Sequence, residues 1–238
     1  MAISATAQIA LLGGVFLCLC LAAPILVTFQ QVGKMRQGIH LRRLPEQAVT
    51  AAYERFRAEA DWALAKGFAQ FEGMYTFVVG AAAFVAAWRH MEHPTYFVLL
   101  STGPKKFFVF LTEFSEHSDL VTGSAKHFQL FPKPPGHYVQ TFSKLSLDDL
   151  FARHLAAARY VTTAGAVQVK PTPWAFEDAF TKGEALQAAY LQSLPFWFLR
   201  APYWYYVRKT RFHNKAIERL HKSGMLQLPN DRGFENFT

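Results

Sequence analysis

The sequence predicts an α+β domain behind an N-terminal transmembrane helix. Three observations support this fold class: an uncharged apolar run near the N-terminus, two aromatic and β-branched segments joined by a turn, and helical periodicity on both sides of those segments. Strands that follow one another between helices are typical of α+β domains, whereas alternating strands and helices indicate βαβ units. The 238 residues are 51% hydrophobic and 18% charged, a composition that excludes a disordered chain, and two cysteines exclude a disulfide framework.

The apolar run Ile9–Phe29 is predicted to cross a membrane. Its 21 residues include only Thr28 as a polar side chain. A helix of that length at ~1.5 Å per residue matches a hydrocarbon core of roughly 30 Å. A cleaved signal peptide is the main alternative, but residues 1–8 contain no Lys or Arg and Pro24 follows the small residues of the run. We therefore predict an uncleaved signal-anchor over residues 1–33, in a single-pass membrane protein.

The basic segment 34–43 predicts the orientation of this anchor. Lys34, Arg36, Arg42 and Arg43 give it a charge of +4, and no cation precedes the span. The positive-inside rule then places the N-terminus outside and the C-terminal domain in the cytoplasm. The uncharged run Gly73–Trp88 leaves a second crossing open as an alternative, although 16 residues are short for one.

Residues 44–199 are predicted to form the α+β domain, which begins with a helix. Pro45 suits a first helical turn, and apolar residues then recur at spacings of three and four from Val49 to Phe71. This pattern predicts one amphipathic helix of about six turns that covers the sheet.

An antiparallel meander of four or five strands is predicted next. Thr95–Ser101 and Phe107–Phe114 are apolar on both faces and flank a Gly-Pro turn, which indicates a hairpin covered on each side. Phe84–Met91 is the candidate strand before them. Lys126–Phe131 and His137–Phe142 flank a proline-rich loop and are predicted to form a second hairpin.

Two helices follow the predicted strands. Ser146 precedes Asp148 and Asp149, an arrangement typical of a helix N-terminus, and the apolar stripe of this helix runs from Leu147 to Ala158. The second helix opens at Glu177 and ends near Pro195.

The segment 200–238, together with the aromatic residues just before it, is predicted to bind a membrane surface. Seven of the eleven residues from Phe196 to Tyr206 are aromatic, and residues 200–222 carry a net charge of +6. Tyr and Trp collect at membrane interfaces, and basic clusters are drawn to anionic lipid. A helix over Tyr203–Lys222 would place aromatic and aliphatic side chains on one side and cations on the other. The predicted membrane-interface or partner-binding residues are Phe196, Trp197, Arg200, Tyr203, Trp204, Arg208, Lys209, Arg211 and Lys215.

Two other interpretations of this segment stay open. The aromatic side chains would also suit the domain core. Alternating aromatic and basic residues also bind single-stranded nucleic acid, but a membrane tether makes nucleic acid the less favoured partner.

No catalytic or metal-ligating residue can be assigned from the sequence. His90 and His93 lie three residues apart, but Pro94 follows and the HExxH spacing is missing. The chain contains no Walker A, GxGxxG or GxSxG motif, and no cofactor is predicted.

The expected function is therefore binding. The sequence favours a membrane-anchored protein whose cytoplasmic α+β domain binds anionic lipid or a membrane-associated partner protein, without catalysis of its own. The alternative is a membrane-tethered enzyme that acts on a lipid or other apolar substrate, which convergence of His90, Glu113 and His154 in a pocket would favour.

Overall fold

The computed structural model describes residues 23–231, apart from residues 24, 31, 37–40, 80, 116–117, 130 and 170–175. Seven strands form one sheet in the order of the sequence. Their bounds are β1 Arg42–Arg43, β2 Gln70–Val79, β3 Ala81–Arg89, β4 Thr95–Thr102, β5 Lys105–Ser115, β6 Ser118–Gly123 and β7 His137–Thr141. The helices are α1 Glu46–Arg55, α2 Arg57–Ala65, α3 Leu147–Ala164, α4 Phe176–Ser193, α5 Trp197–Tyr206 and α6 Ile217–Lys222.

The predicted α+β class and the central hairpin are confirmed. β4 and β5 pair antiparallel from Thr95↔Thr112 to Thr102↔Lys105 around the predicted Gly-Pro turn. The sheet has seven strands rather than the predicted four or five, because β1, β2 and β6 escaped notice. The run Gly73–Trp88 forms most of the β2–β3 hairpin, so the alternative of a second helical membrane crossing there is wrong.

The predicted hairpin between Lys126–Phe131 and His137–Phe142 is also wrong. Lys126–Gln129 is a 3-10 helix, and β7 pairs parallel with β6 instead. A parallel neighbour requires a crossover, and residues 124–136 supply it with the 3-10 helix and the proline-rich loop. β7 consequently ends the strand order, and this sheet edge borders the cavity described below.

Both faces of the sheet are covered, as its doubly apolar strands predict. Helices α1, α2 and α3 pack on one face, where Trp88, Phe97 and Phe110 are buried. The other face buries Tyr96, Val98 and Val109 against Leu41 and Phe176, the first residue of α4. Side chains alternate along a strand, so these two sets mark the two faces.

The predicted six-turn helix is two shorter helices followed by a strand. The backbone leaves the helical region at Phe56, whose side chain is buried in the core, and helix α2 ends at Ala65. Gly67 then has φ of +87°, a conformation that glycine adopts at little cost, and Phe71 already belongs to β2.

Helix α3 begins as predicted, and its buried side overlaps the predicted stripe at Leu150. The Ser146 hydroxyl accepts a hydrogen bond from the Asp149 N–H at 3.1 Å. The buried positions are Leu150, His154, Ala157 and Val161, whereas the predicted stripe residues Leu147, Phe151, Leu155 and Ala158 are only partly buried. Helix α4 begins and ends close to the predicted residues.

The predicted helix Tyr203–Lys222 is broken into three parts. α5 ends at Tyr206, Arg208–Arg211 is a 3-10 helix, and α6 begins at Ile217. Ile217 and Leu220 are buried against Leu120 of the sheet and Val161 of α3, so they are not part of a surface that continues α5.

Most of the predicted span Ile9–Phe29 lies outside the described residues. Residues 25–30 and 32–36 are helical, and Val32 and Met35 are buried against Leu191 of α4 and Ala201 of α5. Within the described part of the chain, no helix has both the length and the apolar character that crossing a membrane requires.

Candidate membrane-interface site

Helix α5 presents apolar and aromatic side chains outward. Phe196, Leu199, Tyr203, Tyr206 and Val207 are all exposed, and their spacing of three or four residues places them along one side of the helix. We call these five residues the outer stripe. Ala201, on the opposite side, and Pro202, beside the stripe, are buried. Surface helices of globular proteins bury their apolar side and expose their polar side, so the outer stripe indicates a surface that contacts something other than water.

Phe196 shows the most unusual combination of exposure and backbone conformation. Its side chain is 70% exposed and its φ of +53° is left-handed. A bulky residue in this region costs about 1–2 kcal/mol, and such strain clusters at functional positions. The Phe196 ring is therefore exposed to solvent at a backbone position where glycine would make the protein more stable.

The end of the predicted membrane span lies beside α5. Phe29 is 44% exposed, and its ring centroid lies 4.5 Å from that of Trp197 and 6.4 Å from that of Phe198. Leu26 and Val27 are also exposed. Leu26, Val27 and Phe29 form one exposed apolar element and the outer stripe forms another. The two chain segments meet where Phe29 contacts Trp197, which is partly buried.

Cations flank the outer stripe. Arg200, Arg208 and Arg211 are exposed, and among the described residues none of them has a carboxylate within salt-bridge distance. The Arg208 guanidinium lies 4.8 Å from the centroid of the Trp204 ring, close enough for a cation–π interaction. Lys215 is half-buried, with Nζ 4.0 Å from the sulfur of Met225, and the side chain of Lys209 is outside the described set.

A cavity of about 740 Å³ lies between α5 and the sheet edge at β7. We call it the edge cavity. Arg200, Tyr203, Trp204 and Arg208 form one wall, and the proline-rich loop from Phe131 to Gly136 forms another. The structure therefore brings four of the predicted interface residues together around one cavity, which sequence reasoning did not foresee.

A row of titratable groups leads from the cavity into the sheet. His137 lines the cavity and lies opposite Asp119 in the β6–β7 register, and Asp119 lies opposite Glu113 in the β5–β6 register. His137 Nδ1 is 3.0 Å from an Asp119 oxygen. Burial, reinforced by Asp119 and opposed by Arg89, raises the pKa of Glu113 to about 7.

His90 and His154, whose convergence with Glu113 would have favoured an enzyme, do not share a site. His90 Nδ1 accepts hydrogen bonds from the backbone N–H groups of Glu92 and His93, so it stabilises a turn. His154 is a buried residue of α3, and its ring nitrogens are hydrogen-bonded to the hydroxyls of Thr112 and Thr122. Glu113 interacts with Asp119 and Arg89 instead. Within the described chain, no cluster of three or more His, Cys, Asp or Glu side chains is arranged to hold a metal ion.

Replacing Phe196 by Gly is expected to stabilise the protein, because glycine adopts the left-handed conformation without strain. We expect a gain of about 0.5–1 kcal/mol in the free energy of unfolding. Leu199→Gly is the matched control, since it removes an equally exposed apolar side chain of the outer stripe from helical backbone and should cost about 1 kcal/mol. Urea unfolding of both variants measures the sign of each change in the free energy of unfolding. Equal destabilisation by the two substitutions would contradict backbone strain at Phe196.

No protein-family model matches the chain, and searches of curated proteins and of solved structures found no similar protein.

Proposed function

We propose that this protein is a single-pass membrane protein whose cytoplasmic α+β domain lies against the anionic surface of its own membrane and binds lipid there, without catalysis. The anchor is residues 1–33, and the contact surface consists of the outer stripe with Leu26, Val27 and Phe29. The cations of residues 200–215 are proposed to face the lipid headgroups.

The observation that carries this proposal is the contact between Phe29 and Trp197. A helix leaving a membrane at Phe29 places everything packed against that residue at the membrane surface. The α5 side chains nearest to it, Trp197 and Phe198, are aromatic, which is typical of residues at the boundary between lipid and water. Phe198 is exposed and Trp197 is partly buried. Two sequence features that are 168 residues apart, Phe29 and Trp197, thereby support the same location.

Two kinds of interaction would hold the domain in this position. Each cation near an anionic surface contributes ~1 kcal/mol, and salt weakens this part because the Debye length is only about 8 Å at physiological ionic strength. Burial of the outer stripe contributes roughly 25 cal/mol for each Å² of apolar area removed from water, and this part resists salt.

Spin labels in the full-length protein test the contact. With Cys18 and Cys20 replaced by Ser, a single label is introduced as Leu199→Cys in the outer stripe or as Lys105→Cys at the exposed β4–β5 turn. In nanodiscs that contain acidic lipid, we expect label 199 to show the oxygen accessibility of a lipid interface and label 105 that of water. Equal, water-like accessibility at both labels would contradict the proposal.

The basic residues are tested in the same nanodiscs. In the parent protein at low salt, we expect label 199 to show lipid-interface oxygen accessibility more strongly in acidic nanodiscs than in neutral ones. Replacing Arg208, Lys209, Arg211 and Lys215 together by Gln should make the oxygen accessibility at label 199 the same in both kinds of nanodisc. Lys105→Gln with Lys126→Gln is the control for charge removal elsewhere. A quadruple variant that retains the parent's preference would exclude these cations from the interface.

The membrane-tethered enzyme is the second candidate, and the titratable row favours it. A pKa near 7 suits Glu113 for general acid or base work, and His137 connects its neighbour Asp119 to the edge cavity. Turnover of a membrane lipid that Glu113→Gln abolishes would favour this candidate over the first.

A further inference from the structure

We propose that the edge cavity binds one phosphate-bearing headgroup of an anionic membrane lipid, with the first part of the acyl region against its aromatic wall. This inference rests on the proposed function, because it requires α5 to lie at the membrane surface. It goes further in assigning a saturable site for one lipid molecule rather than a general attraction to charge.

The charges around the edge cavity favour an anion. Lys133, Arg200 and Arg208 line it, and none of its described lining residues is Asp or Glu. Burial lowers the pKa of the Lys133 ammonium, while the carboxylates of Glu184 and Asp119 act in the opposite direction. A bound phosphate would likewise stabilise the charged form of Lys133, and it would pair with the two arginines, whose planar guanidinium groups match phosphate oxygens.

Apolar side chains also line the cavity, and they favour an amphiphile over a small free anion. Phe131, Leu194, Trp204, Met225 and Leu226 line the cavity together with the cations. A volume of about 740 Å³ lies within the range of roughly 300–1,000 Å³ that small-molecule sites occupy. A phosphate ion alone would leave most of these apolar side chains without a partner.

One buried donor at the cavity is unpartnered. Tyr138 is 1% exposed and lines the cavity, and within the described chain its hydroxyl has no hydrogen-bond partner. Leaving a buried hydroxyl without a partner costs about 1–3 kcal/mol. Because this oxygen is closed to solvent, a ligand accepts its hydrogen bond only if the Tyr138 side chain shifts toward the cavity.

The walls of the cavity are held in place without a ligand. Gln187 of α4 donates a hydrogen bond of 2.6 Å from Nε2 to the Pro132 carbonyl, which fixes the proline-rich loop. The His137–Asp119 contact fixes the first residue of β7, and Arg208 stacks on Trp204. Because these contacts form within the protein, binding requires little reorganisation.

The position of α5 connects the cavity to the membrane. Arg200, Tyr203 and Trp204 line the cavity, and Tyr203 also belongs to the outer stripe. A lipid headgroup that enters from the membrane surface at α5 would therefore reach Arg200 and Arg208 without crossing bulk water.

Native mass spectrometry of the full-length protein in a neutral detergent tests the site. The probes are phosphatidic acid, phosphatidylcholine and inorganic phosphate. We expect phosphatidic acid to saturate at one molecule per chain, and phosphatidylcholine to bind at least tenfold more weakly. Arg200→Gln and Lys133→Gln should each lower the affinity for phosphatidic acid at least tenfold. Arg159→Gln, which removes an exposed cation of α3 outside both the cavity lining and the proposed interface, should change it less than twofold.

Three results would overturn the proposal: adducts that increase without saturation, equal losses in Arg200→Gln and Arg159→Gln, or displacement of the lipid by inorganic phosphate at equal concentration. Arg200 is exposed, so Arg200→Gln keeps the test informative if Lys133→Gln fails to fold. Label 199 distinguishes this failure from that of the proposed function. If only the cavity assignment is wrong, label 199 still reports the lipid interface; if α5 does not contact the membrane, label 199 reports water.

Discussion

Replacing Val109 by Asp is expected to unfold the domain. Val109 lies in the middle of β5, is 8% exposed, and pairs with Val98 of β4 and Gly123 of β6. Its side chain packs among Tyr96, Val98 and Phe176 between the sheet and α4. An unpaired carboxylate at such a position costs more than about 4 kcal/mol, a large part of the 5–15 kcal/mol that typically stabilises a domain.

Val109→Ala separates the two causes of this loss. It removes two methyl groups without adding a charge and should cost about 1–3 kcal/mol, leaving a folded protein. Circular dichroism and urea unfolding of the full-length variants provide the comparison. If Val109→Asp unfolds at the same urea concentration as Val109→Ala, the carboxylate reaches solvent and this face of the sheet is open rather than covered by α4.

Elements that are determined by residues close together in the chain could be predicted from local sequence patterns. The β4–β5 hairpin follows from alternation and a Gly-Pro turn, and the start of α3 follows from Ser146 and the acids behind it. Prediction failed for the elements whose structure is determined by long-range contacts. The two segments on either side of the proline-rich loop resemble a hairpin locally, but β7 gains its partner from β6, on the far side of the 3-10 helix. Burial of Phe56 likewise interrupts a helix whose periodicity continues through it.

The aromatic and basic composition of the candidate site could be predicted from the sequence, but its three-dimensional arrangement could not. Aromatic and basic residues near Phe196 identified the segment, in which Phe196 and Tyr203 are exposed whereas Trp197 and Trp204 are partly buried. Periodicity over Tyr203–Lys222 was misleading, because Ile217 and Leu220 belong to the core. Neither the contact of Phe29 with Trp197 nor the edge cavity leaves a local signal, since each joins segments that are distant in sequence. Lys133 was overlooked because a proline-rich loop was interpreted only as a turn.

His154 lies at the centre of a buried polar network. Its Nε2 is 2.8 Å from Thr112 Oγ1 and its Nδ1 is 2.9 Å from Thr122 Oγ1. Gln140 donates to Thr122 and to the Arg153 carbonyl and accepts from the Ile217 N–H. The network thereby connects α3, three strands and the start of α6. The side chain of His154 is completely buried.

Because of this burial, the stability of the protein should depend on His154 in acid. Desolvation lowers the pKa of His154 to about 3, whereas an unfolded chain has a histidine pKa near 6.5. Between these values the unfolded state binds a proton that the folded state does not, so stability falls as the pH decreases, by up to about 1.4 kcal/mol per pH unit. Above pH 6.5 both states are neutral and the effect vanishes.

We therefore expect His154→Gln to flatten the acid side of the stability profile. Glutamine keeps one donor and one acceptor for the threonine hydroxyls but does not titrate, so at pH 7 it should cost only about 1–2 kcal/mol. From pH 6 to pH 4 the parent should lose about 2–3 kcal/mol more than the variant, although carboxylates stabilised by folding, such as Asp231, make both profiles fall. Urea unfolding of both full-length proteins across this range provides the measurement, with His93→Gln as the control because His93 is exposed. Parallel profiles for the parent and His154→Gln would mean that His154 is protonated in the folded protein, and the network would then have to be redrawn around a charged ring.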